Sequence, residues 1–150
     1  MNYFEQLLQN PFLINTVAGW FCAQLLKTII HLIVNKKLVW ERFVGDGGMP
    51  SGHSATVCSL ATTAFFVAGP SSAEFVIALI LAIIVTHDAC GVRLETEKQA
   101  RLLNEITEFM DRTNNTSLSD KENIKTHVGH TKAEVLVGAL IGIVVSILLC

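Results

Sequence analysis

Charge is scarce in this chain. Only 16% of its 150 residues are Asp, Glu, Lys or Arg, against 51% apolar residues, and the mean hydropathy is +0.48. Disorder is thereby excluded, because a disordered chain combines few apolar residues with high net charge. The net charge of -2 leaves no dominant basic face, which argues against nucleic-acid binding. Paired cysteine motifs are also lacking. Cys22, Cys58, Cys90 and Cys150 each sit in or beside a different apolar run, and none forms a C-x-x-C pair. Zinc-site and thioredoxin-like readings therefore have no support, and all four read as small buried hydrophobes. Residues 1–10 hold no Lys or Arg and lead to Asn10-Pro11, with no small-residue cleavage site, so they are not read as a signal peptide. There are no internal repeats. What is present is a single domain, 1–150, whose apolar residues gather in runs longer than a soluble core of this size needs.

Four segments approach the roughly 20 mostly apolar residues of a spanning helix: 13–34, 51–69, 74–92 and 134–150. The second is diluted by Ser and Thr, and its small residues Ala55, Ala61, Thr62 and Ala64 suit close helix packing better than lipid exposure. The expected fold is all-α, a membrane helical bundle of about four transmembrane helices. Residues 94–110 add an amphipathic loop helix with Leu102, Leu103, Ile106, Phe109 and Met110 at helical spacing. It would lie on the membrane surface or over a site, or pack on its neighbours as a solvated helix. Residues 113–119 read as a linker.

The cations divide sharply. Ten of the 11 Lys and Arg fall in the segments 35–50 and 93–133, and the eleventh, Lys27, lies inside the first span. The termini and the turn Pro70-Ser71-Ser72-Ala73 carry none. Because positive residues stay cytoplasmic, both termini are expected on the opposite side.

Ionisable groups within spans are costly and usually functional. Gln24, Lys27 and His31 share one helix face; Lys27 either snorkels while its neighbours bond across helices, or points into a pocket. His87, Asp88 and Arg93 cluster at the end of the third span, where Asp88 reads best as a structural partner of Arg93 or Lys27. The Arg93 fork also suits an anion. His130, Glu134, Gly138 and Gly142 follow at spacings of four, so an imidazole and a carboxylate share a G-x-x-x-G face. A carboxylate one turn on can fix the imidazole tautomer and make its other nitrogen a better nucleophile or base. In Gly47-Gly48-Met49-Pro50-Ser51-Gly52-His53-Ser54-Ala55, Ser51 is a good N-cap and Gly52 and His53 open the second helix. Its free amides form an anion seat, and His53 could donate to a phosphate or protonate a leaving group.

These residues resemble the type 2 phosphatidic acid phosphatase superfamily, which includes the vanadium haloperoxidases. The finer pattern looks like its small divergent bacterial and plant branch: Gly-Gly-Met-Pro-Ser-Gly-His-Ser-Ala, then Asp88-Ala-Cys-Gly-Val-Arg93, then Gly129-His130-Thr-x-x-Glu134-Val-x-x-Gly138. The resemblance implies phosphate ester hydrolysis without metal or other cofactor. His130 would attack phosphorus and form a phosphohistidine, oriented by Glu134, and His53 would protonate the leaving oxygen. Ser51 and the amide of Gly52 would hold phosphate oxygens, and Lys27, Lys37 and Arg42 are candidates for the cations of the first motif. Relatives usually carry Ser-Arg where this chain has Asn123 and Ile124, so Lys125 or Arg93 would have to replace that ligand. The implied substrate is a lipid or isoprenoid phosphate monoester, or a diphosphate, met at the cytoplasmic edge of a bacterial plasma membrane or an organelle membrane. Membrane lipids are the other expected partners, nucleic acid is not one, and homo-oligomerisation stays open. The alternative is a non-catalytic membrane protein that keeps a phosphate-binding pocket.

Overall fold

Asn10 starts the first long helix. Its side-chain oxygen accepts the Phe12 N–H at 2.9 Å, and Pro11 occupies the first helical position, where a missing N–H leaves nothing unpaired. In this computed structural model, which describes residues 2–36, 48–114, 124 and 129–150, every regular element among the described residues is a helix. They are α1 (Tyr3–Leu8), α2 (Pro11–Asn35), α3 (Gly52–Val67), α4 (Ala73–Cys90), α5 (Val92–Asn114) and α6 (Lys132–Leu149). Capping residues mark the starts. Ser51 caps α3, Ser72 accepts the Phe75 N–H at 3.1 Å to begin α4, and Thr131 with Glu134 forms a capping box on α6.

Among the described residues, three stretches are long and apolar enough to cross a bilayer: Pro11–Asn35, Ala73–Met110 (through its α4 part) and Lys132–Leu149. The segment 51–69, counted above as the fourth and weakest span, differs. Its helix α3 has 16 residues, a rise of about 24 Å against a hydrocarbon core of about 30 Å. It is also the innermost element and packs against α2, α4 and α6. Gly52, Ser54, Ala55, Val57, Ser59, Ala61, Thr63 and Ala64 are all buried, half of the helix. A helix sheathed by three others needs small residues for close approach, not apolar bulk for lipid, which is why Ser, Thr and Ala replace Leu and Ile there.

The core reflects this. Val57, Ala61 and Ala64 of α3 meet Ala78 and Ala82 of α4, with Phe12, Cys58, Leu60, Phe75 and Val85 packed at the margin. Large aliphatic side chains such as Ile77, Ile83, Leu136 and Leu148 point outward, as a lipid-facing surface requires. Polar groups inside the bundle pair across helices. The Ser59 hydroxyl donates to the Asn15 carbonyl at 2.7 Å and lies 2.6 Å from the Ser146 hydroxyl, joining α2, α3 and α6.

These contacts place both the Asn15 amide, 3.2 Å from the Cys150 sulfur, and the 68–72 turn at one end of the bundle. The start of α3, the end of α4 and the start of α6 share the other end. The amphipathic segment expected at 94–110 is helical and lies within α5, which follows α4 directly after Gly91. Its Leu102, Leu103, Ile106, Phe109 and Met110 are exposed. The linker 113–119 lies largely outside the described residues.

Candidate functional site

The two distant motifs meet through the main chain. The Ser51 N–H donates to the Glu134 carbonyl at 3.0 Å, which fastens the turn before α3 to the first turn of α6. Glycines make the approach possible. A Cβ on Gly138 would collide with the Ser51 carbonyl oxygen and stand 3.2 Å from Ser51 Cβ, and one on Gly142 would collide with the Ala55 carbonyl. The G-x-x-x-G face is thus pressed onto α3 along its first two turns.

Ser51 is fully buried, and its hydroxyl accepts from the Ser54 N–H at 3.3 Å and the Ser54 hydroxyl at 2.9 Å. It is a working N-cap. The amides of Gly52 and His53 head the helix, at the positions that lack intrahelical partners and carry the positive end of the dipole. On α2, the Gln24 carboxamide nitrogen lies 3.2 Å from where a Gly52 Cβ would stand. Gln24 and Lys27, one turn apart, are both buried, and the Gln24 Oε1 has no hydrogen-bond partner among the described residues. The helix face carrying Gln24, Lys27 and His31 therefore begins beside the α3 N-terminus. Further along it, Lys27, His31 and Asn35 border a cavity of about 160 Å³ with Gly48 and Met49.

His130 stands at the same end with 2% of its surface exposed. Its N–H donates to the Ala89 carbonyl at 3.2 Å, so the last turn of α4 holds its backbone. Its Nδ1 faces Glu134 Oε2 at 3.5 Å, an ion-pair distance too long for a good hydrogen bond. The same Glu134 oxygen accepts the Thr131 N–H at 2.8 Å. One carboxylate thus caps α6 and faces the imidazole. Burial holds the His130 ring below the usual histidine range; the Lys27 ammonium and the His53 ring push the same way, and the Glu134 carboxylate opposes them. Lys27 and His53 are accordingly electrostatic neighbours of His130. His53 itself is exposed.

His130, Glu134, Ser51, Gly52, Lys27 and His53 are therefore brought to one end of the bundle. Arg93 is there too, but its Nε donates to Asp88 at 2.8 Å, the structural pairing that the sequence suggested for Asp88. Lys37, Arg42, Asn123 and Lys125 lie outside the described residues. Ile124 is exposed, and its backbone exchanges two hydrogen bonds with the Asn104 side chain, at 3.0 and 3.2 Å. Sequence reasoning overlooked Glu97, buried on α5, whose Oε2 accepts the Gly129 N–H at 3.1 Å. A glutamate within an amphipathic pattern carries no signal that it turns inward.

Comparison with known proteins bears on this arrangement. A family profile described as the Divergent PAP2 family matches residues 8–145. The uncharacterized membrane protein YuiD of Bacillus subtilis (strain 168) is 35% identical over 152 residues, covering 96% of this chain and 96% of that protein. No solved structure gives a significant match.

Proposed function

The chain belongs to the Divergent PAP2 family of membrane proteins, and from that membership we propose that it is an integral membrane phosphatase acting on a lipid or isoprenoid phosphate. The observation that carries the reading is the juxtaposition of a buried imidazole with the N-terminus of α3, tied by the bond from Ser51 to Glu134. A phosphoryl group needs preorganised donors where its charge develops. The Gly52 and His53 amides and the Lys27 ammonium supply them.

The proposed reaction has two steps. His130 attacks phosphorus through Nε2, keeping its Nδ1 proton toward Glu134, whose carboxylate stabilises the cationic ring as it forms. The P–O bond to the leaving group breaks, an alcohol from a monoester or a phosphate monoester from a diphosphate, and protonated His53 gives its proton to the leaving oxygen. Neutral His53 then takes a proton from water, the water oxygen bonds to phosphorus, and the N–P bond breaks to release phosphate. A neutral His130 is required at the start, which its burial favours. A site at one end of the apolar helices suits a substrate with its phosphate in water and its hydrocarbon in the bilayer. The concentration of Lys and Arg in the sequence segments 35–50 and 93–133 supports a cytoplasmic orientation of the site.

The test is phosphate release from dioctanoyl phosphatidic acid and an isoprenyl diphosphate by purified protein in detergent with EDTA present. Release by the wild type and its loss in His130→Ala, together with a phosphohistidine that disappears in that variant, are expected. Equal rates from wild type and His130→Ala would leave the non-catalytic alternative, a phosphate-binding membrane protein.

A further inference from the structure

We infer that Glu97 is a positioning residue for His130, holding the peptide that carries the imidazole in register with the α3 N-terminus. This rests on the phosphatase reading above. Gly129 and His130 precede the Thr131 cap and lie outside α6. Glu134 faces the ring, and three contacts from the α4–α5 corner hold the backbone that carries it. The His130 N–H is held by the Ala89 carbonyl at 3.2 Å. Gly129 lies so close to α5 that a Cβ on it would stand 2.5 Å from Leu94 Cα and 2.8 Å from Leu94 N. The Gly129 N–H donates to Glu97 Oε2 at 3.1 Å. Of these, the last alone comes from a side chain.

Glu97 is 8% exposed, a costly place for a carboxylate without partners. Arg101 offsets that cost, donating from Nη2 to Glu97 Oε1 at 2.5 Å while remaining itself exposed. The carboxylate is thus shared: one oxygen takes a guanidinium from the surface, the other a buried peptide N–H. An ordinary i,i+4 pair on a helix surface would need neither the burial nor the second bond. The charge-assisted bond to Gly129 is about twice as strong as a neutral one, and it acts on the residue next to the attacking ring. Reaction rates respond steeply to such placement, because a displacement of about 1 Å can cost about 100-fold.

The experiment compares wild type, Glu97→Gln, Glu97→Ala and His130→Ala as full chains in detergent, with dioctanoyl phosphatidic acid as probe. Two readouts are taken: kcat and KM, and amide hydrogen exchange of the peptide spanning 129–131. Glu97→Ala should lower kcat by about 10–100-fold with little change in KM, and should raise exchange at 129–131. Glu97→Gln keeps an acceptor oxygen and should recover most of both. Unchanged kcat and unchanged exchange in Glu97→Ala would overturn the inference. So would a Glu97→Gln variant as impaired as Glu97→Ala. If wild type releases no more phosphate than His130→Ala, the phosphatase reading fails, and exchange then decides separately: protection lost in Glu97→Ala and kept in Glu97→Gln upholds the tie, and equal protection in all variants refutes it.

Discussion

The Ser51 amide and the Glu134 carbonyl, 83 positions apart in the chain, are hydrogen-bonded at 3.0 Å. The bond fixes the α3 N-terminus against the first turn of α6, and with it the spacing between that helix start and His130. Each residue has a second duty. The Ser51 hydroxyl caps α3, and the Glu134 carboxylate caps α6 while facing Nδ1 of His130. Local helix starts and long-range assembly therefore use the same two residues through different atoms.

Gly138→Ala should destabilise the bundle by about 1–3 kcal/mol, because its Cβ meets the Ser51 backbone carbonyl, which cannot swing aside as a side chain would. Val144→Ala, at an exposed position of the same helix, is the comparison and should change stability far less. Thermal or denaturant unfolding in detergent measures both.

The His130 titration should respond oppositely to its two charged neighbours. Burial and Lys27 lower its proton affinity, and Glu134 raises it. Lys27→Met should therefore move the titration to higher pH, and Glu134→Gln, which keeps a capping side chain at the third helical position, to lower pH. In the wild type the ring should stay neutral until the pH falls below the usual histidine range. If His130 is the nucleophile, the acid limb of phosphate release shifts with it in the same directions. The His130 ring resonance followed by NMR against pH measures the first effect without any substrate.

Ser59→Ala should cost more than Ser146→Ala. The Ser59 hydroxyl serves both the Asn15 carbonyl and the Ser146 hydroxyl, whereas the Ser146 hydroxyl, among the described residues, meets the hydroxyl and carbonyl oxygens of Ser59. Interhelical hydrogen bonds of this kind are worth roughly 0.6 kcal/mol, and up to about 1.7. Unfolding of the two single variants and the double variant should show a coupling between them.

Orientation is tested by single cysteines at Ser72 and Lys98 after replacement of the four native ones. With the cation-rich end cytoplasmic, a membrane-impermeant maleimide should label Ser72→Cys on intact cells and spare Lys98→Cys. The reverse pattern would invert the orientation.

Much of this was legible along the chain because it depends on local periodicity. A bilayer requires long apolar runs, so 13–34, 74–92 and 134–150 declared their helices, and Asn10, Ser51, Ser72 and Thr131 stand at helix starts because only such side chains accept the orphan amides there. The i+4 spacing puts Glu134, Gly138 and Gly142 on one face of α6, whereas His130, which the same spacing assigned to that face, precedes the Thr131 cap and lies outside the helix. Other features depend on which helix ends up inside. The Ser- and Thr-rich segment 51–69 read as a weak span, and only its enclosure by α2, α4 and α6 explains its composition. Whether Arg93 turns to Asp88, whether Gln24 lies against Gly52, and that Glu97 reaches the Gly129 amide were all settled by packing. Those are meetings between different segments of the chain, and helical spacing governs neighbours on one helix while saying nothing about what will be pressed against its face.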